Sequence, residues 1–127
     1  FKATHYYKVT PLDSTYYIKL YSKSKGDLIL TANNSYSNLL SKSGYFIYFD
    51  NSRKIKEEGS YSNDMRQGLW HFYYDSLKET ISCQYENGKK NGDWIKLDSI
   101  GQIIEKKVYE QNELTIEYIL KTDSLEH

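Results

Sequence analysis

The sequence predicts an all-β protein, a meander of antiparallel hairpins built from a unit of about 24 residues. Composition favours strands, because 16% of the residues are aromatic, 14 residues are tyrosine and only one is proline. Two segments, GLWHFYY (68–74) and ETISCQY (79–85), alternate with the period of two that is typical of strands. The third observation is that one phrase of the sequence recurs along the chain, which indicates a repeat architecture.

The repeat is defined by residues that recur at a spacing of 24. They are the tyrosines Tyr61, Tyr85 and Tyr109, the glycines Gly44, Gly68 and Gly92, and the tryptophans Trp70 and Trp94. The copy that begins at Gly44 is degenerate, with Phe46 in place of the tryptophan and a longer preceding turn. A further copy, at 17–30, resembles 94–104, so we expect about four copies that decay toward the N-terminus.

The turns between strands are predicted from local chemistry. At the front, HYYKVT and TYYIKLYS flank residues 11–14 and predict one more hairpin. Asn87-Gly88 is the strongest hairpin signal, because both central positions of a type I′ turn need positive φ. Asp75-Ser76 and Asp98-Ser99 supply turn residues at the opposite ends of the strands. Asp50-Asn51-Ser52 reads as a turn and not as a calcium loop, which needs about six oxygen ligands.

The length of 127 residues predicts one domain. We expect residues 1–124 to form it, with N-terminal hairpins over 1–35 and the clearer repeats over 36–120, and we interpret 125–127 as a tag remnant. A single sheet cannot bury both of its faces. We therefore expect the N-terminal third to fold over one face, as a half-barrel or a sandwich; the alternative is an aromatic patch that stays exposed.

The repeated residues are predicted to have structural roles. Each repeated glycine precedes a large aromatic residue by two positions, so both lie on one face, where the missing side chain leaves room for a neighbouring ring. Trp70 and Trp94 are expected to pack there with the repeated tyrosines, each ring burying about 150–250 Å². We favour this core role over stacking of the same rings on a ligand.

The opposite face holds the candidate binding residues. Strand alternation places Tyr45 and Phe49, then His71 and Tyr73, on the side away from the glycines. Exposed clusters of aromatic residues are typical of protein interfaces. We therefore predict that these four residues contact a partner.

The residues that carry enzymatic chemistry do not form a recognisable pattern, so we predict that the protein is not an enzyme. His5 and His71 are far apart in sequence, and no nucleophile elbow or phosphate-binding loop occurs. His71, within a strand, is expected to be a hydrogen-bonded structural histidine. The single cysteine, Cys83, can form neither an intrachain disulfide nor a thiolate metal site and is expected to be a small buried residue. We predict no metal and no cofactor.

The charge pattern bears on the class of partner. The chain has 17 basic and 17 acidic residues and a formal net charge of zero, so a field that attracts nucleic acid is not expected. Lys89-Lys90 and Lys106-Lys107 lie beside acidic residues and are interpreted as solvated surface. No apolar run approaches the roughly 20 residues of a membrane span. Membrane attachment is expected only through an N-terminal leader that was removed. The expectation of such a leader slightly favours an extracytoplasmic location.

Tyr85 to Trp94, YENGKKNGDW, resembles the MORN-repeat variant found in bacterial proteins of the YwqK-type antitoxin family. Tyr61 to Trp70 follows the same pattern, with Asn63-Asp64 at the turn, and the resemblance extends over about residues 58–114. It implies an antitoxin or immunity-type protein that neutralises a toxin by direct binding. The alternative is an envelope scaffold, lipoprotein-like, that contacts lipid or glycan. Edge strands near Phe1 and Leu120 could also pair two copies into a homodimer.

Overall fold

The computed structural model describes residues 5–11, 16–22, 27–34 and 41–119. They form one antiparallel sheet of ten strands, ordered in space as they are in the chain, which confirms the predicted all-β meander. The strands are β1 (His5–Pro11), β2 (Tyr16–Ser22), β3 (Leu28–Asn34), β4 (Gly44–Phe49), β5 (Ile55–Ser62), β6 (Met65–Tyr74), β7 (Glu79–Glu86), β8 (Lys89–Leu97), β9 (Ile103–Glu110) and β10 (Glu113–Ile119). Residues 36–40 of the turn before Gly44, the outer edges at Phe1 and Leu120 and the segment interpreted as a tag remnant lie outside the described residues.

The N-terminal hairpin is present, but its place corrects an expectation. β1 pairs with β2 as predicted, and β2 continues through β3 to pair with β4. The N-terminal strands therefore extend the sheet and do not fold over one of its faces. The physical reason is that β3 takes the hydrogen-bonding edge of β4, so the early hairpins satisfy their backbone within the same layer.

The turns at one edge of the repeats have the geometry that the sequence predicts. Both central residues have positive φ in Asn63-Asp64 (49° and 66°), Asn87-Gly88 (50° and 83°) and Gln111-Asn112 (51° and 74°). This is the signature of a type I′ hairpin turn, whose twist matches that of the strands. The three turns therefore recur at the 24-residue spacing with the same backbone.

At the other ends of the strands, aspartates organise the turns. The backbone N–H of Arg53 donates to the carbonyl of Asp50 at 3.0 Å, and that of Gly101 donates to Asp98 at 3.1 Å. The Asp50 carboxylate also accepts from the N–H groups of Ser52 and Lys54, at 2.7 and 3.0 Å. These bonds make residues 50–54 a turn, as expected from the sequence.

A ladder of hydrogen bonds joins each type I′ turn to residues about 22 positions earlier, just before β4 or at the start of β6 or β8. The carbonyls of Lys42, Arg66 and Lys90 accept from the N–H groups of Asp64, Gly88 and Asn112, at 2.9, 2.9 and 2.8 Å. Side-chain oxygens of Ser43, Gln67 and Asn91 accept from the N–H groups of Asn63, Asn87 and Gln111, at 3.0, 2.9 and 3.1 Å. Each set recurs every 24 residues, so neighbouring units are joined by the same contacts.

The hydrophobic core lies on one face of the sheet, here called the core face. Cross-strand partners share a face, and the row Ile18, Ala32, Phe46 and Gly59 runs across β2 to β5. Buried apolar side chains in the described ranges all belong to this face. They are Ile18, Leu30, Ala32, Phe46, Trp70, Cys83 and Tyr85. Cys83 is 1% exposed, which confirms the prediction of a small buried residue.

The explanation of the repeated glycines needs a correction. Gly68 has φ +80°, and a Cβ there would meet nothing within 4 Å, so it does not make room for a ring. A Cβ on Gly92, with φ +115°, would meet Gln84 and not an aromatic side chain. Both glycines lie where the register shifts, at Gly68 between β5 and β6 and at Gly92 between β7 and β8. Glycine is required for the left-handed backbone of these bulges.

The close approach of backbone and ring occurs at another glycine, Gly59. A Cβ at this position would overlap the indole of Trp70, which therefore lies directly on the β5 backbone. The position 24 residues later is Cys83, whose side chain is paired across the strands with Trp94. This difference explains why Trp70 is completely buried whereas Trp94 is half-buried.

Candidate binding face

The face opposite the core brings together side chains from four neighbouring strands. Register places Glu58 of β5 beside His71 of β6, and His71 beside Ser82 of β7. Tyr45 of β4 and Tyr73 of β6 reach the same cluster. We call the surface that carries Tyr45, Glu58, His71, Tyr73 and Ser82 the open face.

Glu58 is the centre of this cluster. The hydroxyl of Tyr45 donates to Oε1 of Glu58 at 2.6 Å, and the hydroxyl of Tyr73 donates to Oε2 at 2.7 Å. Hydrogen bonds to a charged acceptor are short and strong compared with those between neutral groups. The two tyrosines, which the sequence places on one face by alternation, are thus joined through an acidic residue between them.

The same contacts shift the acidity of the tyrosines. The pKa of Tyr45 is raised to about 12, first by burial and then by the hydrogen bond to Glu58 and the negative charge of that residue. The pKa of Tyr73 is raised for the same reasons, burial first and then Glu58. Both hydroxyls therefore stay protonated, as donors to Glu58, well into the alkaline range.

A loss of stability at alkaline pH is expected from these shifts. Above a pH of about 10 the unfolded chain loses tyrosine protons that the folded chain keeps, so the free energy of unfolding falls as pH rises toward 12. Chemical denaturation across this range measures the slope. Tyr45→Phe is expected to make the slope shallower, whereas Tyr118→Phe, which removes an exposed hydroxyl, serves as the control. Equal slopes for Tyr45→Phe and the unmodified protein would contradict the assignment.

His71 makes the hydrogen bond expected of a structural histidine. Its Nδ1 lies 3.0 Å from Oγ of Ser82, and the tautomer decides which of the two donates. The imidazole also stacks on the Tyr73 ring, with centroids 6.3 Å apart and planes 25° apart. Both contacts fix the orientation of the imidazole on the open face.

Phe49 stands apart from the other three predicted binding residues. The register of β4 and β5 shifts between Tyr48 and Phe49, so that Phe49 pairs with Ile55 at the end of the strand. The hydrogen bonds and ring contacts that join Tyr45, His71 and Tyr73 do not extend to it within the described residues. Phe49 therefore lies at the margin of the cluster, toward the turn at Asp50.

The described strands form no second sheet over the open face, because all of them belong to the one sheet. Tyr45 is 40% exposed and Leu69, two residues before His71 on β6, is 45% exposed. A crevice of about 120 Å³ adjoins Tyr45 and is lined also by Tyr17, Thr31, Ala32 and Ile47. A shallow cleft of about 570 Å³ borders Tyr73 at the turns.

The Lys106-Lys107 pair is engaged with acidic neighbours, which agrees with its interpretation as solvated surface, whereas Lys90 of the other pair lies 4.8 Å from the centre of the Tyr109 ring. Lys106 lies 4.0 Å from Asp93, and Lys107 lies 3.3 Å from Glu105. In the described parts of the chain, no three histidine, cysteine or acidic side chains converge as a metal site requires. The same residues contain no helix with the length and apolarity needed to cross a bilayer.

Sequence reasoning missed Glu58 and Ser82. The Glu57-Glu58 pair reads from sequence as solvated strand residues, and its position between two tyrosines depends on cross-strand register. The only available signal is that strand alternation turns Glu58 to the face away from the core, whereas its neighbour Glu57 faces the core.

Comparison with protein-family models and with curated proteins finds no match to this chain.

Proposed function

We propose that the protein is a non-enzymatic binding module of the antitoxin or immunity type, which neutralises a cognate bacterial toxin by contacting it with the open face. The observation that carries this proposal is an uncovered sheet face with ordered, partly exposed aromatic side chains. Tyrosine and other aromatic residues dominate the energetics of protein interfaces, and such patches are uncommon on surfaces without a partner.

The order within the patch supports a binding role. Tyr45 and Tyr73 are held by hydrogen bonds to Glu58, and His71 is held by Ser82. Side chains that are already fixed lose less conformational entropy when a partner docks. The repeated ladder beneath them provides a regular scaffold, and the resemblance of 85–94 to antitoxin-family repeats points to the same class of protein.

A lipid-contacting scaffold has weaker support. Such a role would use two lysine pairs. Lys106-Lys107 is engaged by Asp93, Glu105 and Glu117, and Lys90 of the Lys89-Lys90 pair lies against the Tyr109 ring. Ion-paired lysines offer less free positive charge to anionic headgroups. We therefore favour a protein partner.

The proposal is tested by co-expression with the product of an adjacent gene, scored by growth rescue and by co-purification. Leu69→Lys, on the open face, is expected to abolish rescue and to weaken binding at least about tenfold, because it inserts a charge into the apolar contact. Leu77→Lys is the matched control, since Leu77 is 65% exposed in a turn away from this face.

Two outcomes would contradict the proposal. One is normal growth inhibition despite co-expression with each neighbouring gene product. The other is a complex that forms but is weakened equally by Leu69→Lys and Leu77→Lys, which would place the interface elsewhere. Binding to anionic liposomes that weakens with salt would instead favour the lipid-contacting scaffold.

A further inference from the structure

In the part of the chain that the structure describes, Glu58 forms no ion pair, in contrast to its neighbour Glu57 and to Glu105 on β9. Its neighbour Glu57 lies 2.8 Å from Arg66 on the core face, and Glu105 lies 3.4 Å from Lys96. Within the described residues, no lysine, arginine or histidine nitrogen lies within 4.0 Å of the Glu58 carboxylate. Its two partners are neutral hydroxyls, so its charge is oriented but not neutralised.

The carboxylate keeps capacity for a further ligand. A carboxylate offers about four lone-pair positions on its two oxygens. Tyr45 occupies one position on Oε1 and Tyr73 occupies one on Oε2, which leaves about one on each oxygen. Glu58 is only half-buried, so these positions can be reached from the open face.

The ring surfaces around Glu58 favour the same kind of ligand. Tyr45 and Tyr73 flank the carboxylate, and His71 stacks on Tyr73. A cation gains both from a carboxylate and from the negative face of an aromatic ring. The core face of this protein already shows the arrangement, where Arg66 lies 4.6 Å from the centre of the Trp70 ring and bonds to Glu57.

We propose that Glu58, with Tyr45 and Tyr73, receives the guanidinium group of an arginine on the protein partner. The inference rests on the proposed function, because it names the chemistry of the partner at the open face. Arginine fits better than lysine, since its planar fork can donate to both oxygens at once and can lie against a ring, whereas an ammonium group acts as a single point of charge.

The test uses a capped tripeptide with a central arginine, titrated into the whole protein, with the lysine tripeptide as a comparison. Ring-proton chemical shifts of Tyr45, His71 and Tyr73 report binding, and those of the buried Trp70 serve as an internal reference. We expect the arginine peptide to shift the open-face signals and to bind more tightly than the lysine peptide. Added salt should weaken both interactions.

Glu58→Gln is expected to lower the affinity for the arginine peptide at least about tenfold, because it removes the charge from two charge-assisted hydrogen bonds. Glu110→Gln is the matched control, with the same loss of charge at an exposed position on β9. Tyr73→Phe keeps the charge but releases one oxygen of Glu58, and we expect a smaller loss of affinity. Melting curves establish that each variant remains folded.

Absence of shifts on the open face, or an unchanged affinity in Glu58→Gln, would overturn the proposal. So would equal losses in Glu58→Gln and Glu110→Gln. The proposed function fails separately: a toxin complex that is lost in Leu69→Lys but unaffected by Glu58→Gln would retain the binding module and reject the arginine contact. If the arginine peptide binds at Glu58 but no neighbouring gene product forms a complex, the arginine site is retained and the proposed antitoxin function is rejected.

Discussion

Replacing Trp70 by alanine is expected to lower the free energy of unfolding by about 3–5 kcal/mol. The indole is completely buried, its Nε1 donates to the carbonyl of Ser60 at 2.8 Å, and the ring of Tyr61 meets it edge-on at 5.0 Å. Arg66 and Phe72 also lie against it. Because the ring lies against the β5 backbone and its cluster includes side chains from β4 to β8, little of the cavity left by alanine can be refilled.

The matched control is Trp94→Ala, at the equivalent position one unit later. Trp94 is half-buried, so less apolar surface is lost and a smaller destabilisation is expected. Denaturant unfolding of both variants gives the comparison. Equal losses of stability would show that the burial of Trp70 against Gly59 adds nothing to the stability of the core, and would contradict this prediction.

The second large effect is expected from Gly59→Ala. A Cβ at Gly59 overlaps the Trp70 indole, so either the ring or the β5 backbone has to move. Overpacking of this kind costs about 1–3 kcal/mol, and more where backbone opposes it. In a Trp70→Ala background the obstruction is gone, and the added cost of Gly59→Ala should fall to less than about 1 kcal/mol.

Gly68→Ala provides the contrast for this double-mutant cycle. Its cost of about 1–2 kcal/mol arises from placing a side chain in the left-handed region, at φ +80°, where no neighbour is touched. That cost should be the same with and without Trp70. If Gly59→Ala and Gly68→Ala both proved additive with Trp70→Ala, the contact between Gly59 and the indole would not be the cause.

The parts of the fold that could be predicted from sequence are those determined by short-range chemistry. The conformation of the Asn87-Gly88 turn is determined by its own two residues, and its distance in sequence from Asn63-Asp64 equals the length of one repeat unit. Strand alternation likewise places Tyr73 and His71 on one face without knowledge of any partner strand. These predictions were confirmed because each depends on neighbours along the chain.

The parts that were missed depend on register between strands. Gly59 matters because the shift between β5 and β6 leaves it alone opposite residues 68–70, and Trp70 folds back over it. Glu58 joins Tyr45 to Tyr73 for the same reason, since the three residues are distant in sequence. The N-terminal strands were assigned to the wrong place because their aromatic content is equally suited to covering a sheet and to extending it.

The ladder of hydrogen bonds between units implies an order in which parts of this protein unfold. Each turn is tied to the unit before it, and most contacts between the described strands are those between adjacent strands, so stability passes mainly from neighbour to neighbour along the array. An end unit can therefore unfold locally while the interior units stay folded. The open face lies on β4 to β7, in the middle of the array, where opening from either end arrives last.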